Sequence, residues 1–321
     1  MLRRSLLLTA LATPAVAQGR RPIRLVIPFP PGGATDIAGR LLAERLTSLL
    51  GQSVVVENRS GGGGLVGADA VAKGPADGTM LGLISAATLC GAPFLHTSMP
   101  FDVRRDFRFI SQITDSAVVL VVGAQQAERH GWTGLASVLD WARRHPGSLR
   151  VAYAGAGSVT HLAASALVKA SGLDITLVPY RGGAQAATDV MAGTIEASAD
   201  LPGGVIPLVE SGQFRMLGAS SGTRLALLPS VPAFAETAGL QDLDIRSWNM
   251  LLVPAMTPDA EVARLHVAIR QVGGSAEFRD AMKPLGYDAV TSATPEAAAT
   301  LVREETPRWE RLVRNSGARA D

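Results

Sequence analysis

Twice along this chain, short apolar runs alternate with segments of helical periodicity, and that alternation limits the fold more than any other feature. The run Arg24-Leu25-Val26-Ile27-Pro28-Phe29 reads as a strand. Ile37, Leu41, Leu42, Leu46, Leu49 and Leu50 then recur at the spacing of one helix face, with Gly51 placed to cap its end. A second strand over 53–56 leads through the glycine run 61–64 to a short helix carrying Leu65, Ala68, Val71 and Ala72, and a third strand covers 80–84. Strand, helix, strand, helix, strand predicts a parallel sheet covered on both faces. The pattern restarts after the apolar run 117–122, where helices over 134–144, 159–170 and 184–192 precede strands over 150–153, 175–180 and 195–199. A long strand over 248–253 is followed by helices near 258–272, 275–283 and 295–313, with no comparable strand after them. Those helices need a sheet already built, so the chain is expected to return to its first unit. The prediction is an α/β protein of two domains, 22–120 plus 248–321 and 121–247, joined by two crossings near 117–122 and 246–250 with a cleft between them.

The first residues read as an address. Arg3 and Arg4 precede the apolar stretch 5–12, and Ala15-Val16-Ala17 forms a small-x-small cleavage site, so 1–17 is expected to be an export signal cut after Ala17. The stretch is too short to span a bilayer. Paired arginines leave the general secretory and twin-arginine routes both open. The same two arginines account for the whole excess of 30 basic over 28 acidic residues, leaving 28 against 28 without them. A balanced chain lacks the basic surplus that nucleic acid or an anionic membrane surface requires. Cys90, the single cysteine, can form no internal disulfide, and no Cys/His spacing fits zinc, so neither a metal nor a cofactor is expected.

Chemistry concentrates at two strand-to-helix turns. The first, Pro28-Phe29-Pro30-Pro31-Gly32-Gly33-Ala34-Thr35-Asp36, forbids helix with its prolines, bares its backbone with its glycines and opens a helix at Thr35 or Asp36. A helix start offers unpaired N–H groups and a partial positive charge, a natural seat for a carboxylate or phosphate. A simple N-cap explains the same two residues taken alone. The second turn, Tyr153-Ala154-Gly155-Ala156-Gly157-Ser158-Val159-Thr160-His161, repeats the design in the second half. One such turn per domain, facing across a cleft at the carboxyl ends of the sheets, predicts an anion-binding site. Ser158 and His161 also allow an exported hydrolase, although a histidine one turn into a helix commonly serves as a structural partner. Gly62-Gly63-Gly64-Leu65-Val66-Gly67 satisfies G-x-G-x-x-G but follows the second strand and is separated from it by Asn58-Arg59-Ser60, against a dinucleotide fingerprint. No P-loop, zincin or nucleophile-elbow motif occurs. Arg181, Asp200 and Ser85 complete the polar candidates at strand ends.

These residues together resemble a known family. Residues 28–36 with Arg40, Val56-Glu57-Asn58-Arg59-Ser60-Gly61, Asp77-Gly78-Thr79-Met80, Pro100-Phe101-Asp102 with Asp106-Phe107, and 157–163 stand in the family's order. Pro179-Tyr180-Arg181-Gly182, residues 228–232, Trp248, residues 254–258 and Glu305 with Trp309 continue it. The chain resembles, over roughly 22–317, the Bordetella uptake gene receptors, periplasmic solute-binding components of tripartite tricarboxylate transporters. The resemblance implies a type II periplasmic-binding-protein fold, two Rossmann-like α/β domains that close on a ligand. It implies a small carboxylate (an organic, aromatic or amino acid) held through Gly33, Ala34, Thr35 and Asp36 from one domain and Gly157, Ser158, Val159 and Thr160 from the other; Phe29, Ser85, Arg181 and Asp200, at the first loop and at strand ends, are added as candidates from their position. A monomer without catalytic residues, delivering ligand to separate permease subunits or a sensor kinase, is implied as well. Ala92, Ser165 and Asn249 depart from residues common in the family.

Overall fold

A computed structural model of the chain describes residues 20–316, so the expected signal over 1–17 lies outside the described residues. Strand β1 (Ile23–Ile27) feeds helix α1 (Ala34–Leu50), which Gly51 ends in the left-handed conformation. Strand β2 (Val54–Asn58), a 3-10 turn at Gly62–Gly64, helix α2 (Leu65–Ala72) and strand β3 (Met80–Ser85) complete the first alternation. A π-turn at Ala87–Gly91 and helix α3 (Ala92–Leu95) lead to strands β4 (Phe107–Ala117) and β5 (Val119–Gly123). Then come α4 (Ala124–His130), α5 (Leu135–Arg144), β6 (Leu149–Ala154), α6 (Val159–Ser171), β7 (Ile175–Tyr180), α7 (Gly183–Met191), β8 (Ala197–Asp200), α8 (Pro202–Glu210) and β9 (Phe214–Ala219). Strand β10 (Arg246–Pro254), helices α9 (Asp259–Gly273) and α10 (Ala276–Met282), the short strand β11 (Asp288–Ala289) and helix α11 (Pro295–Ser316) close the chain.

Two mixed sheets result. The first runs β11-β4-β10-β3-β1-β2 and the second β7-β6-β8-β5-β9. Parallel pairing sets Ile23 opposite Val54 and Leu149 opposite Ile175, so β1 and β3 end on one edge of the first sheet and β6, β7 and β8 on one edge of the second. Strand β10 enters antiparallel between β3 and β4, with Asn249 opposite Ser85 and Arg246 opposite Ala117. The chain changes sheet at Val118, which splits the apolar run 117–122 into the end of β4 and the start of β5. It returns where Ile245 N–H donates to Ser220 O (2.6 Å) and Ser220 N–H to Val118 O (2.7 Å). Both crossings therefore lie side by side at a narrow waist.

Strands β4, β9 and β11 differ from the expectation. In β4 the polar residues Ser111, Thr114 and Ser116 are buried and face hydrogen-bond partners, which hides the strand from a reading based on apolar runs. Apolar clusters cover both faces of each sheet. On one face of the first sheet, α1, α9 and α10 pack around Leu25, Leu42, Leu251 and Ile269. On the other, α2 and α11 pack around Val26, Met250 and Trp309, and Leu162 of α6 joins them from the second sheet. The returning helices thus use a sheet made earlier. Trp309, buried in α11 against Gly91, holds that return. Replacing it, Trp309→Ala, is expected to cost about 3–5 kcal/mol, read as a lowered midpoint in urea denaturation followed by circular dichroism.

Candidate functional site

At the carboxyl edge of the first sheet the loop after β1 is held by Asp36. Its Oδ2 accepts from Gly32 N–H (2.9 Å) and Arg40 Nε (2.9 Å), and its Oδ1 from Asn58 Nδ2 (2.8 Å). Asn58 Nδ2 also donates to Phe29 O (3.0 Å), so β2 pins the same loop. Burial pushes the Asp36 carboxyl up, but the hydrogen bonds from Arg40, Gly32 and Asn58 together hold it below the ordinary carboxylate value. The N-cap is Gly33, not Thr35 or Asp36, and it supplies no side-chain cap. Asp36 instead reaches back from the first turn to the loop, and its carboxylate is fully occupied there. The first-turn N–H groups of Ala34, Thr35 and Asp36 have no carbonyl partner inside the helix. Thr35 Oγ1 lies 3.3 Å from the hydroxyl of Tyr287, which is entirely buried and also within hydrogen-bonding range of Asn249. Asn249 Nδ2 in turn donates to Thr114 Oγ1 (2.8 Å). Burial raises the Tyr287 pKa, so this string of polar groups is uncharged.

The edge of the second sheet repeats the turn with different fastenings. Ser158 is the N-cap of α6, its Oγ accepting from His161 N–H (3.2 Å) and lying 2.9 Å from Thr160 Oγ1. Ala154 N–H donates to Thr160 Oγ1 (3.1 Å), and Gly157 N–H donates to His161 Nδ1 (3.1 Å). His161 stacks on Tyr153 with ring centroids 4.4 Å apart, and burial lowers its pKa, keeping it neutral near pH 7. Its acceptor nitrogen is thus taken by backbone, and Ser158 meets the histidine through the main chain rather than the ring. That is not a nucleophile–base pair. Gly157 N–H is spent on the imidazole, which leaves Val159 and Thr160 as the first-turn donors without helical partners.

The two edges face each other. A β-carbon placed on Gly63 would stand 3.6 Å from Ala156 O, so the glycine turn before α2 meets the loop before α6. Thr88 Oγ1, hydrogen-bonded to Ser85 Oγ (2.9 Å), donates to Gly63 O (2.9 Å) and fixes that turn from behind. On the opposite face of the sheets, the approach is closer. A β-carbon on Gly203 would overlap Leu285 O and one on Gly286 would overlap Pro202, so the start of α8 lies against the turn that ends in Tyr287. Asp200, at the end of β8, is buried beside this contact and donates nothing. Its Oδ1 accepts from Leu201 N–H (2.7 Å). Arg181 is exposed and pairs with no acid among the described residues. Of the family departures, Ser165 and Ala92 are buried within α6 and α3, and Asn249 lies under Thr35 in the string above. Four surface hollows, of about 370 to 1020 Å³, are lined by other residues.

Asn58 and Tyr287 support the first turn, yet neither was singled out as a candidate by pattern. Asn58 ends a strand and could have been found as a polar residue beside the proline loop. Tyr287 carries no local signal, since only the return of the chain brings it to Thr35. Burial pushes the Asp200 carboxyl up to about 6, against 3.8 in a solvated chain, with only the Leu201 N–H opposing it. A raised acid pKa means the folded state binds its proton more tightly. Stability is therefore lost as pH rises from about 4 through 6, at roughly 1.4 kcal/mol per pH unit between the two values. Asp200→Asn is expected to raise the melting temperature above that of the parent at pH 7.5, and the gap should narrow to roughly a third at pH 4.5. Equal gaps at both pH values would contradict the assignment.

The sequence matches the TctC family, described as the tripartite tricarboxylate transporter family receptor, over residues 38–318. BugT of Bordetella pertussis is 33% identical over 300 residues, which cover 93% of this chain and 90% of that protein. Rpa4515 of R. palustris, solved with adipate, superposes with a TM-score of 0.85 at 30% identity, covering 94% of this chain and 98% of the other. MatC of Rhodopseudomonas palustris, with bound malate, gives a TM-score of 0.80 at 28% identity, covering 92% and 99%. The two-sheet α/β architecture is that of the periplasmic binding proteins in this group, and the family and its solved neighbours are binding proteins. This chain belongs to the tripartite tricarboxylate transporter receptors, the Bug-type solute-binding proteins.

Proposed function

We propose that the protein is an exported receptor that captures a small carboxylate between its two lobes. It then delivers the ligand to separate permease subunits of the tripartite tricarboxylate type or presents it to a sensor. One observation carries the reading: helices α1 and α6 begin at sheet edges that face each other, with first-turn N–H groups unclaimed and Arg40 of α1 already bound to Asp36. Such a site attracts an anion through helix dipoles and N–H groups rather than through net charge. The adipate and malate in the neighbours support the ligand class.

In this reading Gly33, Ala34, Thr35 and Asp36 contribute backbone N–H groups and the Thr35 hydroxyl, with Phe29 and Ser85 at the wall. Val159 and Thr160 contribute N–H groups from the second lobe, Ser158 its hydroxyl, and Gly157, Arg181 and Asp200 border the ligand. Residues 22–120 with 248–321 move as one domain and 121–247 as the other, hinged where Val118, Ser220 and Ile245 meet. The working form is a monomer in the periplasm, freed by cleavage after Ala17.

Thr35→Ala removes a hydroxyl from the first turn and Ser158→Ala one from the second, and each is expected to weaken carboxylate binding about tenfold in calorimetry. Ser158→Ala should also lower stability by about 1 kcal/mol, because Ser158 caps α6. Unchanged affinity in both variants would mean the ligand sits elsewhere. Intact mass of protein recovered from the periplasm is expected to match a chain beginning at Gln18, and a product retaining Met1 would refute cleavage.

A further inference from the structure

Asp200 is a buried acid without a cation. It is 9% exposed, and no Lys or Arg pairs with it among the described residues. Its Oδ1 takes the Leu201 N–H, while Oδ2 has no hydrogen-bond partner among the described residues. The carboxylate is bordered by bare backbone: a β-carbon on Gly183 would overlap Oδ2, and one on Gly204 would stand 3.5 Å from Oδ1. Its strand neighbours Ala197 and Ala199 pack on the α6 side of the sheet, so Asp200 projects to the opposite side, among Ala186 and Val205 of α7 and α8. That is the side on which the start of α8 touches Leu285 and Gly286 of the first lobe, one residue from Tyr287 and its partner Thr35. Asp200 and the start of α1, one from each lobe, are therefore linked through the contact of α8 with Leu285 and Gly286.

Oδ2 is not sealed from solvent, yet a carboxylate this deeply buried with one oxygen unpaired gains when a ligand group donates to it. From this geometry we propose that Asp200 receives an N–H or O–H group of the bound ligand, so that the ligand class is an amino- or hydroxy-substituted acid rather than an unsubstituted one. The proposal rests on the carboxylate-receptor reading above, with the ligand's own carboxylate at the α1 and α6 starts and its donor substituent at Asp200. A site built to accept a hydrogen bond rejects an analogue that lacks the donor, because the acceptor is then buried unpaired.

The test uses matched acids that differ only at one carbon: succinate, malate and aspartate; glutarate, 2-hydroxyglutarate and glutamate; adipate, 2-hydroxyadipate and 2-aminoadipate. Calorimetry on the refolded, ligand-free protein is expected to show at least tenfold tighter binding of a substituted member over its unsubstituted parent in whichever series binds. Preference for the amino member identifies an ammonium donor and preference for the hydroxy member a hydroxyl. In Asp200→Ala that preference should vanish while affinity for the unsubstituted parent stays within about threefold. Asp200→Asn, which keeps one acceptor oxygen, should retain a hydroxyl preference and lose an ammonium preference. Equal binding of parent and substituted acids, or a preference that survives Asp200→Ala, overturns this proposal alone. Failure of every acid to bind overturns it together with the carboxylate reading.

Discussion

Strand β10 lies between β3 and β4 and runs antiparallel to both, and the remaining architecture follows from that placement. Eight of its nine residues are buried, so it must enter a sheet rather than edge one. By returning to the first sheet it delivers α9, α10 and α11 to helix positions that 23–117 leave open, and it sets Arg246 opposite Ala117 at the waist. Arg246 pairs there with Asp115, tying the outgoing strand to the returning one. The same return brings Tyr287 beneath Thr35, which no local segment could do. A strand with weaker apolar content would leave the second lobe on a single tether.

The two facing strand-to-helix turns are held in place by different chemistry in the two lobes. In the first, a low-pKa carboxylate is the centre, gathering a backbone N–H, an arginine and an asparagine. In the second, neutral groups do the same work: a histidine ring accepts from Gly157 and a threonine hydroxyl from Ala154. The one cation in these fastenings, Arg40, is paired with Asp36. On the proposed reading, the field that favours an anion is supplied by oriented peptide groups, which need no solvent reorganisation.

How much was legible follows from how local each signal is. Strands made of Val, Ile and Leu, such as β1 and β3, and helices with a periodic apolar face, such as α1, stand out because burial on both sheet faces demands that composition. Strand β4 does not, since Ser111, Thr114 and Ser116 satisfy their hydroxyls through partners far along the chain. The two turns were legible as turns because Pro and Gly act within a few residues. Which atoms face a ligand was not. Asp36 and Gly157 look equally available in sequence, yet Arg40 and Asn58 consume the one and His161 the other. Positive backbone angles at Gly61, Gly62, Gly63 and Gly64 explain the glycine run that resembled a dinucleotide motif, because the turn they form packs on Thr88 and faces Ala156.

The two acids of the interface were not distinguishable from sequence, and their surroundings set them apart. Asp36 has donors on both oxygens and is held below the ordinary carboxylate range, so it stays ionised and structural. Asp200 has one backbone donor, no cation and a pKa pushed up to about 6. The surroundings drive the two carboxyls apart, and on the proposal above the unsatisfied one meets the ligand. Replacing Asp200 by a neutral residue would relieve a cost that Asp36 does not impose. A chain under selection for stability alone has no reason to keep an acid wedged against Gly183, where any side chain at 183 would collide with it. The glycine and the acid make sense as a pair: the bare backbone at 183 leaves room for the Asp200 carboxylate, and the proposed ligand supplies the donor that its Oδ2 lacks among the described residues.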